Sequence, residues 1–165
     1  VLERHARHAV TGEPMIDALR DRLLAARTHG MGFQTVEYLA SAFVDLAFHD
    51  GPAPRDPMQR QAEVLESLGM PRAIGMRHAT PHFQHVFAGD GYAAGYYSYL
   101  WSEVMDADAF AAFEEAGGPF DPALAARLER EVLSVGGSRD EGESWMAFRG
   151  RMPGVEPLLR GRGLA

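Results

Sequence analysis

The chain has no cysteine, no lysine and no asparagine among its 165 residues. Without cysteine there can be no disulfide framework, no thiolate nucleophile and no cysteine-held zinc. That leaves the redox compartment open but suits a cytoplasm, which is the expected location. All 16 basic residues are arginine, the mark of GC-rich codon usage and hence of a bacterial genome. Long apolar runs are missing as well. Arginines and acids interrupt every candidate, so no segment reaches the roughly 20 residues that a membrane span requires. A net charge of −7 argues against a nucleic-acid surface or an anionic membrane as partner.

What remains is ordinary globular material, with 46% hydrophobic and 24% charged residues. The N-terminus, Val-Leu-Glu-Arg-His-Ala-Arg-His, is too charged for a secretory segment, lacks an initiator methionine and reads like the tail of a helix. It fits a fragment of something larger. The periodicity is helical throughout, with no alternating strand pattern and no internal repeat. A helix is expected after Thr11-Gly-Glu-Pro14, with Pro14 in its first turn and Ile16, Leu19, Leu23 and Ala26 as its stripe. From Phe33 to about His49 a broad apolar face of Val36, Leu39, Ala40, Phe43, Leu46 and Ala47 is set against Glu37, Ser41 and Asp45. His49 would cap that helix electrostatically. Asp56-Pro57 and Asp121-Pro122 are helix starts. The first helix runs through Ala62, Leu65 and Leu68 to Gly69; the second carries Leu124, Leu128 and Val132. Met70 to Asp90 reads as irregular. A short helix over Asp108 to Glu115 and two last pieces, Glu143 to Arg149 and Glu156 to Arg160, complete an all-α chain. Residues 1–165 are one helical domain or one helical piece of a larger one.

The most informative stretch is His85-Val-Phe-Ala-Gly-Asp-Gly-Tyr92-Ala-Ala-Gly-Tyr96-Tyr-Ser-Tyr99-Leu-Trp-Ser-Glu103. On a helix, Tyr92, Tyr96 and Tyr99 would stack on one face, with Glu103 extending the row. Ala93, Tyr97, Leu100, Trp101 and Val104 would form the core side. Phenols and an imidazole turned outward are hydrogen-bond donors along a peptide-binding wall. Gly89 and Gly91 flank Asp90, so the loop can take positive φ and let a ligand approach the backbone. The plainer alternative is a row of core tyrosines with satisfied hydroxyls.

Metal and nucleophile searches find little. H-E-x-x-H is absent. His78, His82 and His85 would converge on a continuous helix, but Thr80-Pro81 interrupts it. Two imidazoles without a third ligand do not make a zinc site, so none is expected here. Ser41, Ser98 and Ser102 lie in helical runs with no nucleophile elbow around them. The surface for stabilising a transition state is present without the catalyst that it would serve.

The tyrosine segment through Val104 resembles the thimet oligopeptidase and peptidyl-dipeptidase family of zinc metallopeptidases, in particular its bacterial peptidyl-dipeptidases. Further matches lie in Gly32-Phe-Gln-Thr-Val-Glu-Tyr-Leu-Ala-Ser-Ala42, Asp106-Ala-Asp-Ala-Phe110, Gly136-Gly-Ser-Arg-Asp140, Phe148-Arg-Gly-Arg151 and Leu158-Leu-Arg-Gly-Arg-Gly-Leu164. The resemblance implies a mostly helical, zincin-like enzyme whose metal is held by an upstream H-E-x-x-H and a glutamate. Residues 1–165 would be its C-terminal, substrate-binding part, lacking the zinc and the general base. It further implies that Tyr99 and His85 stabilise the transition state, Tyr99 by donating to the tetrahedral oxyanion, and that Tyr92 and Tyr96, with Gly89 and Gly91, bind substrate. Asp90 lengthens the loop relative to many relatives. Short peptides would be the substrates, and the missing N-terminal and metal-binding parts of the same enzyme the partners. The chain alone would be inactive. The rival expectation is a non-enzymatic helical module that binds a partner or self-associates through its exposed apolar surface.

Overall fold

Local start and stop signals place several of the helix ends. The computed structural model describes residues 1–165, the side chain of Glu3 excepted. In chain order the helices are α1 (Leu2–His5), α2 (Asp17–Ala26), α3 (Met31–His49), α4 (Pro57–Ser67), α5 (Gln84–Phe87), α6 (Ser98–Glu115), α7 (Pro122–Leu128), α8 (Glu141–Arg149) and α9 (Glu156–Arg162). Asp56 accepts the Met58 and Gln59 N–H groups at 3.0 Å each, and Asp121 accepts that of Leu124 at 2.7 Å. Each cap satisfies donors that a helix start otherwise leaves open. Among the described residues the only extended pairing is an isolated bridge between Arg7 and Pro14. The expected all-α class therefore holds. Pro14 lies in that bridge, before α2, and not in the helix's first turn.

The chain packs as two compact units, Val1–His29 with Glu103–Ala165 and Gly30–Ser102. In the first, Ala112, Leu124, Trp145 and Phe148 form the core, with Leu128 and Val132 against it. Beside them lies Asp108, wholly buried. Trp145 Nε1 donates to it at 3.3 Å, Arg149 through Nε and Nη2 at 3.2 Å each, and Arg151 at 2.5 Å. Burial alone would raise this carboxyl, but the two arginines outweigh it and hold Asp108 below the ordinary carboxylate range. Arg149 also grips Glu115 at 2.9 and 3.0 Å, which holds that carboxyl low too. A buried carboxylate is tolerated here because every lone pair facing it finds a cationic or indole donor.

In the same unit, α2 departs from expectation. None of its residues is buried, and Ile16, Leu19, Leu23 and Leu24 are each at least half exposed. The stripe exists in sequence but meets no partner within this unit. The separate helix expected at Asp108 to Glu115 is the second half of α6, which runs unbroken from Ser98.

The second unit is built on α3. Its core takes Ala40 and Val44 from α3, Val64 from α4, and Phe83 and Val86 from the following segment. The buried face of α3 follows the one expected from hydropathy only in part: Ala40 is buried, but so is the side expected to be polar. Ser41 and Asp45 are buried at 1% and 0% exposure, while Phe43 stands at 44%. On α4, Gln61 and Val64 are buried in place of the expected Ala62, Leu65 and Leu68 row. Gln61 Oε1 accepts the backbone N–H and the hydroxyl of Thr80, at 2.8 and 2.9 Å. Those bonds fix a 3-10 turn at Thr80–His82 and, just after it, α5 with His85. Irregular though it is, the segment from Met70 to Asp90 is anchored.

Candidate active site

The tyrosines do not sit on one helix. α6 begins only at Ser98, and residues 91–97 are consecutive turns, so of the three phenols Tyr99 alone is helical. The row is assembled all the same, by a clamp from α3. The Asp45 carboxylate accepts the Ala94 N–H at Oδ1 and the Tyr96 N–H at Oδ2, both at 2.9 Å. His49 Nδ1 lies 2.9 Å from Asp45 Oδ1 and 2.8 Å from the Asp45 carbonyl, and the Ala94 N–H reaches it at 3.3 Å. Alternate N–H groups converging on one anion form a nest. Its geometry puts Ala94 at φ +57°, the only described residue other than glycine with positive φ. A side chain in that region costs roughly 1–2 kcal/mol, and the two charge-assisted hydrogen bonds offset it.

A second grip comes from Tyr38, two turns before Asp45. Its hydroxyl donates to the Tyr96 carbonyl and accepts the Leu100 N–H at 3.2 Å. Its ring stacks on Tyr96 at 5.3 Å. Phe83 meets the Tyr96 ring edge-on at 4.9 Å. Tyr96 is therefore held on backbone and ring.

Around this support the expected residues come together. His85 Nε2 lies 2.7 Å from the Tyr99 hydroxyl. The imidazole packs 4.2 Å from the Tyr92 ring and 6.0 Å from that of Tyr96. Tyr96 and Tyr99 meet at 5.5 Å. Tyr92 and Tyr99 remain 47% and 40% exposed, so the cluster is open to a ligand. His78, His82, Phe83, Gln84, His85, Tyr96 and Tyr99 line a hollow of about 400 Å³.

Chemically the arrangement is a set of neutral donors. Partial burial among the rings raises the Tyr99 phenol above its ordinary value, and the Tyr92 and Tyr96 hydroxyls push the same way. The phenol thus keeps its proton across the neutral range. With hydrogen on Nε2, the imidazole donates to the phenol oxygen and leaves the phenol hydrogen free to donate onward. That is what stabilising a developing oxyanion requires.

Other expectations are corrected. Neither Gly89 nor Gly91 takes a positive φ, and a Cβ on either would meet nothing within 4 Å. The unusual backbone lies three residues beyond Gly91, at Ala94, because the nest is there. Tyr97 and Trp101, expected in the core, are 51% and 60% exposed. The helical-face expectation fails for Tyr97 because its turn is not helical. Glu103 lies one helical turn beyond Tyr99 on α6 and is paired with Arg162.

Sequence reasoning passed over Asp45 and Tyr38. The usable signal was a polar row at helical spacing, Tyr38, Ser41, Asp45 and His49, on a helix otherwise rich in apolar residues. Among the described residues no group of three or more His, Asp or Glu is placed to hold a metal ion. The donors present are phenols and imidazoles facing aromatic rings, so these residues do not fit a zinc centre.

The sequence matches peptidase family M3 over residues 1–164. It is 39% identical over 171 residues to the organellar oligopeptidase A, chloroplastic/mitochondrial, of Arabidopsis thaliana, an alignment covering 96% of this chain and 21% of that protein. The dipeptidyl carboxypeptidase of Salmonella typhimurium is 35% identical over 169 residues, covering 99% of this chain and 24% of the relative. Oligopeptidase A of Haemophilus influenzae is 35% identical over 160 residues, covering 95% and 23%. The chain thus spans under a quarter of the length of these relatives. With the match running nearly end to end, this chain belongs to peptidase family M3.

Proposed function

We propose that this chain is the substrate-facing, C-terminal part of a zinc-dependent oligopeptidase that cleaves short peptides in the cytoplasm, releasing dipeptides from their C-termini. The observation that carries the reading is the His85–Tyr99 pair, 2.7 Å apart and ringed by Tyr92 and Tyr96 over an open hollow. A peptide carbonyl entering that hollow meets neutral donors that strengthen as negative charge develops on its oxygen. In this reading Tyr99 donates to the oxyanion and His85 orients Tyr99 and contacts substrate. Tyr92 and Tyr96, with the Gly89 and Gly91 loop, line the peptide's path. Zinc and the residues that hold it belong to further parts of the same enzyme, so the chain alone is inactive. The relatives named dipeptidyl carboxypeptidase and oligopeptidase A support the peptide class of substrate.

The test is Tyr99→Phe in the full-length peptidase. Loss of one oxyanion donor lowers kcat about 10²-fold and leaves KM within ~3-fold. An unchanged kcat overturns the oxyanion role.

A second reading, a non-enzymatic helical module that pairs with itself, draws on α2, whose leucines are exposed. Exposed apolar faces of this kind promote association. Light scattering on the isolated chain separates the readings. A discrete oligomer that Leu23→Glu on α2 disperses supports the module, and a monomer removes it.

A further inference from the structure

The phenol cluster is held by residues that do not line its hollow. We infer that Asp45 and Tyr38, seven positions apart on α3, are positioning residues that set the geometry of the Tyr92, Tyr96 and Tyr99 hydroxyls. The inference rests on the proposed peptidase reading of that cluster.

Four observations carry it. Asp45 is fully buried, and each of its oxygens accepts an N–H of one short turn, Ala94 at Oδ1 (which His49 Nδ1 also approaches) and Tyr96 at Oδ2. That turn adopts a left-handed conformation at an alanine, which nothing local favours. Tyr38 binds the next carbonyl and the Leu100 N–H through one hydroxyl, so the clamp continues into the first turn of α6. Between the two grips lies the segment that carries Tyr96 and leads into Tyr99. A rotation of the turn would swing Tyr92 and Tyr96 away from His85, whose ring sits 4.2 Å from Tyr92 and 6.0 Å from Tyr96. Displacements near an ångström are enough to weaken hydrogen bonds aimed at a transition state.

Asp45→Asn is the informative change. It keeps size and shape but replaces one acceptor oxygen by an amide that faces an N–H, two donors in opposition. In the full-length peptidase this variant is expected to lose at least ~10-fold in kcat with KM within ~3-fold. Because the residue acts through the phenols, adding Asp45→Asn to Tyr99→Phe should cost less than ~2-fold beyond Tyr99→Phe alone. A crystal structure of Asp45→Asn should show the His85 Nε2 to Tyr99 hydroxyl contact opened. Multiplicative losses in the double variant, or a retained 2.7 Å contact, overturn the inference.

Where Asp45→Asn does not fold, Tyr38→Phe tests the same clamp, since it removes only the hydroxyl and keeps the ring on Tyr96. Lowered kcat with a displaced Tyr96 carbonyl supports the inference; unchanged kcat with the cluster intact overturns it. If Tyr99→Phe is itself silent, the peptidase reading of the phenol falls. The crystallographic distances then still judge the clamp, so the two readings fail separately.

Discussion

The rings of Tyr92 and Tyr99 lie 6.5 Å apart and only 8° from parallel, although one belongs to a turn and the other to a helix. The two rings stack, and both residues remain partly exposed, Tyr92 at 47% and Tyr99 at 40%. The His85 imidazole completes the group, against the Tyr92 ring and within hydrogen-bond reach of the Tyr99 hydroxyl.

The Tyr99 phenol is raised by its partial burial and by its two tyrosine neighbours. A raised pKa favours the neutral form, so Tyr99 should remain a donor beyond the ordinary phenol value of about 10. In an ultraviolet titration at alkaline pH, the phenol lost in Tyr99→Phe should be among the last to ionise. A missing phenol that ionises with the exposed tyrosines would contradict the assigned environment.

Ala94 holds a left-handed conformation that glycine adopts without steric cost. With the Asp45 bonds intact, Ala94→Gly should stabilise the chain by up to roughly 1 kcal/mol, whereas a β-branched Ala94→Val should destabilise it by more than that. Thermal unfolding followed by circular dichroism checks both. Equal midpoints for the two variants would mean that the turn is relaxed.

The isolated chain, mixed with zinc and a quenched short peptide, should show no chelator-sensitive cleavage. Its histidines offer no third ligand and its phenols no attacking nucleophile. Zinc-dependent turnover by this chain alone would return the catalytic ligands to it and reopen the His78, His82 and His85 group.

Asp108 is the fourth case. Its carboxyl is held low by Arg149 and Arg151 against the effect of burial, and Glu115 and Glu131 are held low by their arginines as well. A depressed carboxylate stabilises the fold above its unfolded pKa, and that contribution fades as pH falls through the folded value. The melting temperature should therefore be level above about pH 5 and drop below it. Asp108→Asn leaves Arg149, still paired with Glu115, and the half-exposed Arg151 facing a neutral amide, and should cost ~1–3 kcal/mol at neutral pH, with a shallower acid limb. A parallel acid limb in wild type and variant would assign the acid sensitivity elsewhere.

The sequence by itself determined the helical class and several helix ends. It excluded thiol chemistry, and it marked His85 and the tyrosines as the chemistry-bearing residues. Those features are local: Asp56 and Asp121 cap helices within three residues of themselves, and Gly69 and Gly150 stop them through their own positive φ. Only the tertiary structure decided which face of α3 is buried and how the phenols meet. Asp45 looks like a solvent residue until donors arrive from Ala94 and Tyr96, 49 and 51 positions away. Hydropathy assigns a carboxylate to water because its partners are not in the window being read. When two backbone N–H groups replace that water, burial becomes favourable, and the same bonds create the turn that gathers the tyrosines. The phenol row that helical spacing suggested is therefore present, built by a long-range clamp and not by a helix.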